Sequence, residues 1–185
     1  MLFHARVEKI AQALGVLFRA DGVDRMNYMR ILKLLYIADR ESLRETGRPI
    51  AGGAVVAMPR GPVLEEVYNL IRGQHRQMPL WGSYFRTSRY DLELLHAPDV
   101  GQLSRYEIKK LQEIAQRHEN DDEWALSQLT HGFLEWQKND PGNSSKPIPL
   151  DDILEAVGRA EDKEAILQEA CDQAAFDRLF AEAGK

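Results

Sequence analysis

The densest run of chemistry-bearing residues is His118-Glu-Asn-Asp-Asp-Glu123, an imidazole and several carboxylates close enough to suggest a metal. The carboxylate spacing fits no calcium loop, which needs oxygen ligands at alternate positions and a closing bidentate glutamate. The same residues read as a helix end, a turn and an acidic cap on the next helix, where negative charge suits the positive end of the dipole. Glu65-Glu66 offers two carboxylates for acid–base work, but adjacent positions on a helix point apart. Arg60-Gly61-Pro62 stands where a loop enters a helix, a setting in which backbone N–H groups hold anions. Pro62 removes one of those donors and no glycine-rich phosphate pattern surrounds it, so a structural turn is the better reading. His131 is a lone base near Phe133 and Trp136, a setting more often structural than catalytic. Cys171 lies on an alanine-rich helix with no histidine beside it, which leaves the thiol unactivated. Trp81, Trp124 and Trp136 read as core or interface anchors rather than cofactor stackers. No catalytic or metal-ligating constellation, and no cofactor site, emerges from these residues.

The elements that position them centre on Asn27–Thr46, read as one helix with Gly47 as its stop. Its apolar residues cover most of the circumference, so it is expected to be buried as a hub. Only a narrow stripe is basic, at Arg30, Lys33, Arg40 and Arg44, and Ile37 interrupts it, so even that side is expected to be partly covered. Residues 4–20 form an amphipathic helix before the hub. After it, Ala51–Met58 reads as a strand, and Pro62 opens a helix that runs to Arg72 with Gly73 as its stop. Phe85–Leu95 alternates through Tyr90, Leu92 and Leu94 as one half-exposed strand, expected to pair with Ala51–Met58. Ser104 and Glu107 form a capping box for a helix that ends near His118. Asp121 or Asp122 caps another, with Leu126, Leu129, Phe133 and Trp136 on one face. The loop-like 139–146 stretch precedes helical patterns at Asp151–Val157 and Glu161–Ala183.

The expected fold is therefore mainly α with a small antiparallel β-sheet (α+β): a compact helical domain around a buried central helix, with a C-terminal helical extension. The boundary is placed at 155, giving a domain over 1–155 and an extension over 156–185 packed on or near it. A chain of 185 residues supports one such core. The net charge of -5 argues against a sequence-independent grip on nucleic acid. A single cysteine, no signal-like N-terminus and no membrane-length apolar run point to the cytoplasm.

Lys33-Leu-Leu-Tyr-Ile-Ala-Asp-Arg40, then Gly47-Arg-Pro-Ile50, Gly53-Ala-Val-Val-Ala-Met-Pro-Arg-Gly-Pro-Val63 and Val67-Tyr68 together resemble the Panacea domain of SocA-like antitoxins and phage-associated relatives. Leu126-Ser-Gln-Leu-Thr-His131 and Trp136 resemble its second signature, in the expected order. The resemblance implies a type II antitoxin that neutralises a cognate protein toxin, encoded by a neighbouring gene, through direct contact and without a catalytic step. It also implies that direct DNA binding needs an added module. Lys33, Ile37, Arg40, Arg60, Tyr68, His131 and Trp136 are the partner-facing candidates, with Lys33, Arg40 and Arg60 exposed beside Ile37. Hot spots favour Trp, Tyr and Arg, which suits this set. The alternative is a proteolytic adaptor or chaperone-like protein that presents a bound partner to a protease, its C-terminal helix docking elsewhere, with a protease or chaperone as a further partner. A third reading is an enzyme using His131 and Arg60. Homo-oligomerisation stays open.

Overall fold

A computed structural model of the chain describes residues 3–183. Helix α1 (Val7–Asp21) and a short strand β1 (Arg25–Asn27) lead into α2 (Tyr28–Thr46), the expected hub. The Asn27 side chain caps α2 by accepting from the Met29 N–H at 2.9 Å. Gly47, at φ 77°, ends it in the left-handed conformation that glycine adopts without penalty. Every residue from Ile31 to Asp39 is buried. The hairpin β2 (Val55–Met58) and β3 (Gly61–Leu64) follows, then α3 (Glu65–Ile71), α4 (Met78–Tyr84) and a second hairpin, β4 (Phe85–Ser88) and β5 (Asp91–Leu94). Then come α5 (Arg105–Arg117), α6 (Glu123–His131), α7 (Leu134–Lys138), β6 (Lys146–Ile148), α8 (Leu150–Ala156), a 3-10 turn (Ala160–Asp162) and α9 (Lys163–Ala183).

The fold is helix-rich α+β, with two antiparallel three-stranded sheets in the orders β1-β5-β4 and β3-β2-β6. The single sheet expected from 51–58 and 85–95 does not form. Those segments belong to different sheets, because Phe85–Leu94 folds back on itself at Arg89-Tyr90 instead of continuing as one strand. Pro62 does not open a helix either. It sits in β3 opposite Ala57, and α3 begins at Glu65. As an edge strand, β3 tolerates a residue without an N–H.

Two helix starts are as expected. Ser104 and Glu107 form the reciprocal capping box of α5. Asp122 caps α6 by accepting from the N–H groups of Trp124 and Ala125 at 3.0 and 2.8 Å. The helix expected to carry Leu126, Leu129, Phe133 and Trp136 on one face is interrupted instead, with α6 ending at His131 and α7 starting at Leu134. The break leaves Leu129 in solvent and swings Trp136 onto the β2–β3 turn.

The main core wraps α2 with α1, α3, α5, α6 and the first of the two sheets. A second cluster joins Leu43, Ala57, Ile148, Ile153, Leu154, Val157 and Ile166, so α8 and the start of α9 are seated on the C-terminal end of the hub. There a Cβ on Gly47 would lie 3.1 Å from Ile166 Cγ1, and Arg159 Nη1 donates to the Arg44 carbonyl at 3.2 Å.

Candidate partner-binding site

The register of β2 against β3 pairs Met58 with Gly61 and leaves Pro59-Arg60 as a two-residue turn. A tight turn exposes carbonyls that the ladder does not use, and buried carbonyls need donors. Here four carbonyls receive four side chains from three helices. Trp136 Nε1 of α7 donates to Met58 O at 3.0 Å, and His131 Nε2 of α6 lies 3.1 Å from Pro59 O. Ser127 Oγ donates to Arg60 O at 2.9 Å, and Lys33 Nζ of α2 to Pro62 O at 2.7 Å. The His131 ring stacks on Trp136 with centroids 4.2 Å apart. For His131 to donate to a carbonyl, its proton must sit on Nε2. Burial, then the nearby Lys33 charge, lowers its pKa, which favours the neutral ring.

Gly61 is required at this turn for two reasons. Its φ of 96° suits glycine alone, and a Cβ there would meet Thr130 Oγ1 at 2.5 Å and Lys33 Nζ at 2.9 Å. Lys33, expected to be exposed on the basic stripe, is 1% exposed, and Ile37, which interrupts that stripe, is 3% exposed. Around Lys33 the stripe is covered, with α5 and α6 both packed on α2; Arg40, also expected to be exposed, turns to the buried Glu135, while Arg44 stays exposed. Among the described residues no carboxylate pairs with Lys33, and burial pushes its amine down to about 7.

A second cluster adjoins the first through α7. The fully buried Glu135 carboxylate accepts from Tyr36 Oη at 2.8 Å and from Arg40 Nε and Nη2 at 2.6 and 3.3 Å. The Arg40 guanidinium lies 4.2 Å above the Phe133 ring. A bidentate pair of this kind compensates the cost of burying its carboxylate. Burial, reinforced by Glu135, raises the Tyr36 pKa well above its ordinary value. One turn further along α2, Asp39 accepts from the N–H groups of Ile50, Ala51 and Gly52 at 3.0, 2.8 and 2.9 Å, fixing the loop after the hub. Burial lifts its pKa to about 6 against those three bonds. Between these groups and β6 lies an apolar cavity of about 250 Å³, walled by Leu43, Val55, Leu64, Ile148 and Ile153.

The structure therefore brings Lys33, Arg60, His131 and Trp136 to one turn, with Arg40 beside it. Ile37 is core. Tyr68 stands apart on α3, where its hydroxyl accepts from Arg72 Nη1 at 3.0 Å. Ser127, Thr130 and Glu135 are the site residues that sequence reasoning passed over. The first two lie inside the Leu126–His131 signature, and all three are polar residues on the buried side of α6 and α7. Arg60 projects outward, its guanidinium 4.7 Å above the Trp124 ring. No group of three or more His, Cys, Asp or Glu side chains suited to a metal occurs among the described residues.

This is a helix-rich α+β domain whose signature side chains brace a backbone turn and a buried ion pair. The family model described as antitoxin SocA-like, Panacea domain, matches residues 31–137, more than half of the chain, and the chain belongs to that family. No curated protein and no solved structure matches it. Among the described residues no helix is long and apolar enough to cross a membrane.

Proposed function

We propose that the protein is the antitoxin of a type II toxin–antitoxin pair and neutralises a protein toxin, encoded by a neighbouring gene, by direct binding in the cytoplasm. Membership of the SocA-like antitoxin family supports this reading. The observation that carries it is how the signature polar groups are used. Lys33, Ser127, His131 and Trp136 are committed to backbone carbonyls, and Glu135 to Tyr36 and Arg40, while Arg60 is presented to solvent. A rigid turn that displays an arginine suits recognition, and the enzyme reading of His131 and Arg60 loses its free base. Arg60 would contact the toxin directly, with the rims of His131 and Trp136. Arg40 and Tyr68 would flank that contact, and Lys33 and Ile37 would act from within by holding its shape. Residues 1–155 would form the binding domain and 156–185 its extension. The test is co-expression of the neighbouring open reading frame with and without this protein. Rescue of growth together with a purified complex is expected. A harmless neighbour, or toxicity that persists despite a soluble complex, overturns the reading.

A further inference from the structure

We infer that the toxin contact at Arg60 extends over one surface patch, formed with Trp124, Met29, Tyr28, Tyr90 and Arg89, and that the surface it grips carries carboxylates beside an apolar side chain. This rests on the toxin-binding reading and gives it a place and a partner chemistry.

The patch is continuous across four elements. Arg60 of the β2–β3 turn lies over Trp124 of α6, with Nη1 4.0 Å from Met29 Sδ at the start of α2. Next along α2, the Tyr28 ring faces Tyr90 at the tip of the β4–β5 hairpin, with centroids 6.4 Å apart, and Tyr28 N–H donates to Tyr90 O at 2.9 Å. Asn27 Nδ2 ties α2 to α6 by donating to Glu123 Oε1 at 3.1 Å. Tyr90 is 71% exposed and Trp124 54%. Exposed Trp124, Tyr90, Arg60 and Arg89 with half-buried Met29 and Tyr28 among them are residue types enriched at interfaces, and Trp, Tyr and Arg dominate their hot spots.

The charges say what it would grip. Arg60 and Arg89 are exposed and form no ion pair among the described residues. The acids beside them are engaged: Asp91 with Arg25, Asp121 with His118, Asp122 with the start of α6, and Glu123 with Asn27. The patch therefore offers two unused guanidinium groups around an aromatic floor, on a protein whose net charge is -5. Planar guanidinium groups take carboxylates in bidentate fashion, and the rings take an apolar side chain between them. Four packed elements hold the patch, so little ordering is needed when a partner binds.

The test measures the affinity of the purified protein for the product of the adjacent toxic open reading frame, using Arg60→Glu, Trp124→Ala and the double change Arg89→Glu with Tyr90→Ala. Arg105→Glu, at the far end of α5, is the control, and thermal melts confirm folding of each. Binding is expected to weaken roughly 10- to 100-fold in each patch variant. The control should match wild type, and wild-type binding should weaken as salt is added. Wild-type affinity in all patch variants would overturn this inference while leaving the toxin reading intact. So would patch-dependent binding that ignores salt, or self-association of the free protein that the patch variants abolish, which would assign the patch to a second copy. A wild-type protein that neither binds nor neutralises the toxin would instead overturn the toxin reading itself.

Discussion

The two sheets each contain a hairpin closed by two residues, Pro59-Arg60 between Met58 and Gly61, and Arg89-Tyr90 between Ser88 and Asp91. Beyond that they differ in every respect that matters for function. The first turn is clamped: Lys33, Ser127, His131 and Trp136 donate to the carbonyls of Pro62, Arg60, Pro59 and Met58 in and beside it. The second is displayed: Tyr28 meets Tyr90 through its N–H and its ring, and both turn residues are exposed. Its first residue, Arg89, has a φ of 56°, a conformation that costs a side-chain-bearing residue energy. In the clamped turn the strained position is filled by glycine, and the surrounding side chains leave no room for anything else. The displayed turn keeps an arginine where glycine would be easier. One hairpin is held by side chains from three helices, and the other presents both its turn residues to solvent.

The largest break in that comparison is Gly61→Ala. Left-handed strain and a Cβ driven into Thr130 and Lys33 should together cost on the order of 3 kcal/mol, with a matching fall in the urea midpoint. A wild-type midpoint would mean the turn is not clamped. Glu135→Gln keeps the shape of α7 but leaves Arg40 and Tyr36 around a neutral amide. Arg40 is 14% exposed and can reach some water, so the loss should be about 2 kcal/mol rather than the full cost of an unpaired buried charge. Equilibrium unfolding of the single variant and of Arg40→Met with Glu135→Gln checks this, since the double change should recover part of the loss.

Lys33 sharpens the comparison through pH. Its amine titrates near 7 when folded and near 10.5 when free. Between those values the unfolded chain holds a proton that the folded chain has released. Stability contributed by this group therefore rises with pH from about 7 to about 10.5, by up to about 1.4 kcal/mol per pH unit. Below 7 the amine is charged in both states and its burial cost is fully present. Lys33→Met should flatten that rise, read as urea midpoints at pH 7, 8 and 9. Parallel curves for wild type and variant would show that the clamp holds a permanently charged ammonium. Asp39 works in the opposite sense. Its carboxyl titrates near 6 when folded against 3.8 when free, so its contribution falls as pH rises through that window.

What could be read from the sequence was local. The hub helix, its start at Asn27 and stop at Gly47, the Ser104–Glu107 box and a cap at Asp121 or Asp122 all depend on residues within a few positions of one another. The sheets were misjudged because β2 pairs with β6, far along the chain, and no alternation pattern names its partner. The fate of Lys33 was hidden for a related reason. A lysine at helical spacing from Arg30, Arg40 and Arg44 looks solvated, and its acceptor is a backbone carbonyl in another element. Ile37, inside the same stripe, was the clue that this side is covered. The β4–β5 turn gives no signal because Arg89-Tyr90 lacks the glycine or asparagine that marks such turns, and the alternation runs on through it.

That missing glycine supplies the smallest and most discriminating prediction. If Arg89 were an accident of sequence, Arg89→Gly would relieve a left-handed conformation and change little else. If Arg89 is kept for its guanidinium, the same change should leave the protein as stable or more stable, by about 0.5–1 kcal/mol, while weakening the toxin complex. Glycine also loosens the unfolded chain, which offsets part of the relief and keeps the expected gain small. Paired thermal melts and binding titrations on wild type and Arg89→Gly separate the two cases. A stabilised variant with unaltered affinity would reduce the displayed hairpin to a tolerated flaw. Opposite movements of the two quantities would show strain retained in exchange for recognition.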